Sequence, residues 1–385
     1  MKEIKLSKGV YYLEGIGLLT GMIIGAGIFA LPFVMAQSGI FWGLTHFLVA
    51  LALVLIIQEL YGEVAFLTEG KHRFTGYVYK YLGLSASRLA LVLTLIGYYG
   101  SLLAYGILGG IFLNNIFHGI FGGVGVFGFS IVFFIVANIF SLVRFEKIGV
   151  INFYLTIPLL FFIIYLVAAS WQWIDIDNFV WDFSFNGNWF LPYGVWLFAL
   201  TGFSVIPEVR DIMRSTSLRD FKIVIFISTM IAAVFSLIFA LGVLGVTGMH
   251  TSEEALAGLV GFLGTKGLII GSIIGFLAVF TSYLSTIADF KELFRTDYGV
   301  NIYLAWLACI LPPVLLFWGN IIGLVDILGF IGAAGLGISG VFILEMADKM
   351  MTTSGGARLN PYFKWLVALG IVVASVYETW NIVVK

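Results

Sequence analysis

Two short stretches carry the residues best suited to chemistry in an apolar setting. GMIIGAGIFALP runs from Gly21 to Pro32, and TGFSVIP runs from Thr201 to Pro207. Each interrupts an apolar run with small residues and then, five or six residues on, a proline. Glycine lets the backbone turn sharply and approach a ligand closely, while proline cannot donate a helix hydrogen bond. Peptide N–H and C=O groups left outside a helix can bind a ligand directly. Helix ends beside them favour a carboxylate at the N-terminus and a cation at the C-terminus.

The elements that position these stretches must lie in a membrane. Of 385 residues, 61% are hydrophobic and 11% charged, and the mean hydropathy is +1.07. A soluble domain carries about 25% charged residues, so this surface is not built for water. The single cysteine, Cys309, excludes an intramolecular disulfide. The opening MKEIKLSKGVYYLEGIG leads into an apolar segment without a small-residue cleavage site, so no removable signal peptide is expected. The net charge of -1 decides nothing alone, and no nucleic-acid partner is expected.

A spanning helix needs about 20 apolar residues. Eleven are expected, near 10–37, 40–66, 87–116, 123–142, 147–170, 189–212, 221–248, 267–290, 299–318, 321–347 and 362–384. With a cytoplasmic N-terminus, 18 of the 20 Lys and Arg fall on the inside, and only Lys266 and Lys385 fall outside. The inner residues are Lys2, Lys5 and Lys8; Lys71, Arg73, Lys80 and Arg88; Arg144 and Lys147; Arg210, Arg214, Arg219 and Lys222; Lys291 and Arg295; and Lys349, Arg358 and Lys364. Positive charge gathers on the cytoplasmic side, so the alternation supports both the orientation and the span count. The outer loops hold Asp175, Asp177, Asp182, Glu253 and Glu254, and 251–264 is expected as a short helix on the outer surface. The whole chain, 1–385, reads as one membrane domain.

The two breaks lie in spans 1 and 6, five spans apart, so they cross the membrane in opposite directions. Paired broken helices in corresponding positions mark the binding site of a secondary transporter, because unwound backbone at membrane depth must be buried or line a wet cavity. The alternative is packing: Gly21-x-x-x-Gly25 is also a helix-contact motif, and prolines kink membrane helices.

GMIIGAGIFALPFVMAQSG resembles the first span of amino acid permeases of the amino acid–polyamine–organocation (APC) superfamily. The likeness is closer to the amino acid/auxin and aromatic (tryptophan/tyrosine) permease branches. EVAFLTEGKHRFTGYVYKYLG, LLAYGILGG, ALTGFSVIPEV and FTSYLSTIADFKELF extend it over about 10–347. The resemblance implies an all-α fold of the LeuT type. It has two inverted repeats of five spans, about 10–170 and 189–347, and an extra span at 362–384. It also implies cation-coupled symport of an amino acid across the cell membrane by alternating access.

The positions carried over for the substrate's amino and carboxyl groups are Ile24, Gly25, Ala26 and Gly27, then Thr201, Gly202 and Ser204. No charged residue sits at either break, which favours a neutral substrate. Phe29, Phe203, Trp196, Tyr98, Tyr99 and Tyr105 are candidate walls for an aromatic or large hydrophobic side chain, with ordinary packing as the alternative. In sodium-coupled members of the fold, the spacing Ala278-x-x-Thr281-Ser282 supplies one carbonyl and two hydroxyls to a sodium ion, and carbonyls here at Gly21 and Ile24 complete the shell. Membrane Ser and Thr also bond back to their own helix, so sodium and proton both remain open. Some proton-coupled relatives place a lysine midway along span 5. Here Pro158 and Leu159 stand there, which tilts the reading toward sodium. No other cofactor is expected.

Ionisable residues near the membrane are functional candidates by default. Asp326 is a candidate outer gate or an interfacial residue, and Glu208, with Arg210 and Asp211, a candidate inner gate or a solvated helix end. Glu59 and Glu63 read as facing the cytoplasm, and His46 as a packing residue rather than a proton relay. Four histidines and one cysteine offer no constellation for an enzyme. No phosphate loop of the G-x-x-x-x-G-K-[ST] type is present, so direct use of ATP is not expected. The remaining alternative is an amino-acid-sensing receptor on the same fold; a tail of about nine residues and an outer C-terminus argue against it.

Overall fold

A computed structural model describes residues 8–142, 148–185, 187–319, 323–353 and 358–384. Lys2, Lys5, Arg144, Lys147 and Lys385, used above for orientation, lie outside the described residues, as does the side chain of Lys8.

The first expected span is two helices, α1 (Lys8–Ile23) and α2 (Gly27–Ser38), bent by 49° at the glycine-rich break. After α3 (Ile40–Leu67) comes a nine-residue helix that the sequence did not announce, α4 (Phe74–Leu82), which buries Phe74, Thr75, Tyr77 and Val78. At nine residues it is too short to cross. Then follow α5 (Leu84–Phe121), α6 (Gly125–Phe140) and α7 (Ile148–Ser170).

The next five spans also begin with a broken helix. They comprise α8 (Leu191–Leu200) and α9 (Ile206–Ile212), then α10 (Leu218–Thr247), α11 (Val260–Tyr298) and α12 (Ile302–Trp318). The tenth span is α13 (Leu324–Phe330), a π-helical turn at Ile331–Gly337, and α14 (Ile338–Thr353). The additional helix α15 (Pro361–Val384) packs on that turn, where Ser375 Oγ donates to the Ala333 carbonyl at 2.6 Å. Among the described residues, seven helices are individually long and apolar enough to cross a membrane, and the bent α1–α2 pair makes an eighth. The other three expected spans are filled by α6, α12 and the α8–α9 pair.

One expectation is corrected. Residues 251–264 are helical only in their second half, from a 3-10 turn at Ala257–Leu259 to a kink at Gly264 (φ 67) within α11, and they do not simply lie on the surface, because Thr251, Ala255, Leu256 and Leu259 are buried.

The helices sort into two groups by packing. The broken helices α2 and α8 pack with α3 and α10, while α11 packs with α5 and α12, and α5 also with α6 and α12. In lipid, apolar burial does not by itself drive helices together, so close approach of small residues matters. At the outer ends of α3 and α8 an aromatic cluster forms around Trp42, His46, Trp189 and Phe190. The Trp42 and Trp189 rings lie 4.8 Å apart, and Trp189 Nε1 donates to the Tyr377 hydroxyl at 2.9 Å. His46 Nδ1 lies 2.9 Å from the Trp42 carbonyl, matching the packing role read from sequence.

Candidate functional site

The first break is short and tightly held. Ile24 still donates to the Thr20 carbonyl at 2.9 Å, Gly25 turns back onto the Ile23 carbonyl at 2.9 Å, and the helix restarts at Gly27. A Cβ on Gly27 would stand 2.7 Å from the Ala199 Cα, so only glycine lets α2 meet the backbone of α8 here. In the second break α8 ends at Leu200, with the Thr201 hydroxyl donating to the Leu197 carbonyl at 2.6 Å. A single 3-10 turn at Phe203–Val205 then leads into α9, where Pro207 occupies a first-turn position that needs no donor.

A side chain from α3 supports this unwound segment. Gln58, 1% exposed, accepts from the Gly202 N–H at 3.2 Å and donates to Thr229 Oγ1 at 3.2 Å. The sequence reading missed it; the available signal was a lone amide in a 28-residue apolar helix.

Both breaks open on one central pocket. Gly25, Ala26 and Gly27 line it from one side, and Thr201, Phe203 and Ser204 from the other, with Tyr98 and Tyr105 across from them on α5. Ile24 and Gly202, expected in the same set, do not line it: Ile24 is buried, and a Cβ on Gly202 would point at the Ile23 and Leu19 side chains. Of the six aromatic candidates, Tyr98, Tyr105 and Phe203 line the pocket and three do not. Phe29 packs between Phe112 and Phe239, Trp196 lies against Phe47, and the Tyr99 hydroxyl donates to the Ala308 carbonyl.

The expected ion positions lie at the contact of the first break with α11. Gly25 faces Ser282, whose Oγ would be 2.9 Å from a Cβ added there. Ser282 Oγ is buried without a hydrogen-bond partner. The Thr281 hydroxyl lies 3.0 Å from the Leu277 carbonyl and 3.1 Å from that of Ala278, so it is engaged with its own helix. Gly21 belongs to the last turns of α1, beside this contact.

The pocket's inner end holds the charges that the two breaks lack. Arg73 and Asp289 both line it. Arg73 comes from the loop before α4, and its guanidinium lies 3.0 Å from Glu208 on α9 and 3.7 Å from Asp289 on α11. Burial opposes the charge on Arg73, but Asp289 and then Glu208 outweigh it and hold the guanidinium above its ordinary pKa. Asp289 is 3% exposed and accepts a hydrogen bond from the Tyr98 hydroxyl. Arg210, on the same short helix as Glu208, donates to the Thr68 carbonyl at 2.7 Å and lies 3.0 Å from Asp211. Asp297, at the inner end of α11, accepts from the Arg73 N–H, Thr75 Oγ1 and the Gly76 N–H, fastening α4 to α11. Glu208 therefore sits in a network of ion pairs rather than at a solvated helix end. Asp326 does not join the pocket: it lies in the first turn of α13, near Glu253, whose carboxyl is raised by desolvation and then by Asp326 and Glu254.

The model of the transmembrane amino acid transporter protein family matches residues 11–377, and the chain belongs to that family. Its fold is that of the LeuT-type transporters, in a multi-pass membrane protein. A structure of MhsT in complex with L-phenylalanine superposes with a TM-score of 0.73 at 14% identity, covering 96% of this chain and 98% of that one. Mhp1, a nucleobase-cation-symport-1 family transporter, superposes in a closed conformation with bromovinylhydantoin bound, with a TM-score of 0.69 at 11% identity over 96% of this chain and 91% of that one. Its inward-facing conformation gives 0.68 at 11% identity over 91% and 78%. No curated protein sequence gives a significant match.

Proposed function

We propose that this protein is a secondary active transporter that moves a neutral amino acid together with a monovalent cation by alternating access. The observation that carries the reading is the single pocket shared by both breaks. Helix ends at Gly27 and around Ser204 offer N–H groups to a carboxylate, and the ends of α1 and α8 offer carbonyls to an ammonium group. Tyr98, Tyr105 and Phe203 would wall a large apolar side chain, and the Arg73–Asp289 pair is already mutually compensated, so it does not call for a charged one.

The two halves act as inverted repeats, and the group of α1, α2, α3, α8, α9 and α10 rocks against that of α5, α6, α11 and α12. Arg73 with Glu208 closes the inner side. A cation held between the first break and Ser282 stiffens the unwound backbone, so that ion and amino acid each favour the other's binding. Sodium fits the hydroxyl and carbonyl oxygens there. A receptor on this fold would bind the amino acid without moving it.

The test is uptake of labelled neutral amino acids into proteoliposomes under an inward sodium gradient or an inward proton gradient. Accumulation under either supports the reading. Measurable binding with no uptake under both would favour the receptor.

A further inference from the structure

A row of buried oxygens runs along one face of α11 from the first break to the inner end of the pocket. Ser282, Ser285, Thr286 and Asp289 are spaced i, i+3, i+4 and i+7, which puts them on one stripe about 10 Å long. All four are at most 8% exposed. Ser282 Oγ, Ser285 Oγ and Asp289 Oδ1 have no hydrogen-bond partner, and the Thr286 hydroxyl lies beside Tyr105. Thr286 and Asp289 line the central pocket. Asp289 Oδ1 keeps only the longer ion pair with Arg73 Nε at 3.7 Å, and a buried carboxylate oxygen without a hydrogen bond is costly.

The charge balance at the inner end of this stripe is uneven. Two carboxylates, Asp289 and Glu208, face a single guanidinium, Arg73. The remaining titratable groups toward Asp289 do not redress this. Tyr98 on α5, Tyr61 on α3 and Cys309 on α12 carry no positive charge in either protonation form, while Glu292 and Asp297 on α11 itself are acidic. Lys291 points away and donates to the Ser141 carbonyl, and Arg210 is engaged with Asp211 and the Thr68 carbonyl. Among the described residues the cluster is one positive charge short.

We infer that Asp289 is a proton-binding site that couples transport to a proton gradient, resting on the transport reading above. A proton from the outer side adds to Asp289 Oδ1, making an O–H bond and breaking no bond in the protein. Arg73 is then held by Glu208 alone, and α9 and α11 lose their common partner. When the inner side opens, the proton leaves to the cytoplasmic water, the carboxylate re-forms, and Arg73 again bridges α9 and α11. Each zwitterionic substrate thus moves with one proton taken up at Asp289, besides any cation held at Ser282. This site lies two turns inward of Ser282, distinct from the expected sodium position.

The experiment compares the intact protein with its Asp289→Asn and Asp289→Glu variants in proteoliposomes, using a mixture of labelled neutral amino acids. Two readouts are taken: accumulation under a tenfold inward proton gradient, and exchange of internal for external substrate without any gradient. With the membrane potential clamped at zero, one proton per substrate lets the wild type accumulate about tenfold. Asp289→Asn is expected to lose accumulation while keeping exchange, and its exchange rate no longer varies with pH; Asp289→Glu restores accumulation. Proton-driven accumulation by Asp289→Asn would overturn the proposal, as would wild-type accumulation driven by sodium alone. Loss of both readouts in a variant that still melts like the wild type would also overturn it, by making Asp289 a substrate contact. A wild type that neither accumulates nor exchanges any amino acid would remove the transport reading itself.

Discussion

Gln58 Oε1 accepts the Gly202 N–H at 3.2 Å, joining the middle of α3 to the unwound segment between α8 and α9. The peptide group that the break frees is therefore answered by a side chain from a neighbouring helix, and Thr229 holds the other end of the same amide. Changing Gln58→Leu keeps the volume but leaves both Gly202 N–H and the Thr229 hydroxyl without this partner. An unpaired buried polar group costs about 1–3 kcal/mol. The melting temperature in detergent is expected to fall and the substrate Kd to rise, with Gln58→Glu an intermediate case. An unchanged melt and Kd would show that the bond holds nothing in place.

Arg73 ties the loop before α4 to both α9 and α11. Removing it by Arg73→Ala loosens the inner closure. A cysteine placed in the pocket by Ser204→Cys reports this, since the natural Cys309 is buried and labels poorly. Labelling from the inner side is expected to rise several-fold in Arg73→Ala. Equal labelling in both backgrounds would mean that the closure lies elsewhere.

Gly25 lines the pocket, but a Cβ added there points at Ser282. A methyl group in Gly25→Ala meets Ser282 Oγ at 2.9 Å, while the Ser282 Cβ is 3.7 Å away, so deleting the hydroxyl in Ser282→Ala makes room. The single change Gly25→Ala is expected to destabilise the protein and weaken cation dependence. Adding Ser282→Ala should recover the melting temperature but not the cation dependence. Recovery of both would place the ion away from this contact.

Thr281 separates sodium from plain helix chemistry. Its hydroxyl bonds back to the Leu277 and Ala278 carbonyls, so Thr281→Ala should change stability by less than about 1 kcal/mol. If sodium sits beside Ser282, the same change raises the sodium concentration needed for half-maximal uptake at least tenfold. An unaltered sodium response would leave Thr281 as an ordinary back-bonded threonine.

The sequence carried the fold clearly because the strongest signals were local. Gly21–Pro32 and Thr201–Pro207 break apolar runs with residues whose backbone properties travel with them, and the breaks stand where expected. The charged inner end was hidden for the opposite reason. Arg73 and Glu208 are 135 residues apart, and Arg73 stood in a loop counted only for its charge. Asp289 lay inside a quoted motif, but its importance depends on which face of α11 meets the pocket and on Tyr98 across from it. Phe29 and Trp196 failed as pocket walls because aromatic rings near a break can turn either way, and theirs turn into packing against Phe112, Phe239 and Phe47. Gly202 was placed in the right segment, yet its α-carbon faces Ile23 and Leu19, so Gly202→Val would test packing more than binding.

The aromatic cluster at the outer ends of α3 and α8 has an optical consequence. Two indoles with centroids 4.8 Å apart couple electronically; Trp42 lies on α3 and Trp189 in the turn that leads into α8, which packs on α3. Their near-ultraviolet dichroism should thus hold steady while that pair of helices tilts as a body, and collapse when the chain melts. The contact of Trp189 with Tyr377 on α15 adds a third chromophore to the cluster. The molecule carries its own internal standard for telling transport motion from unfolding.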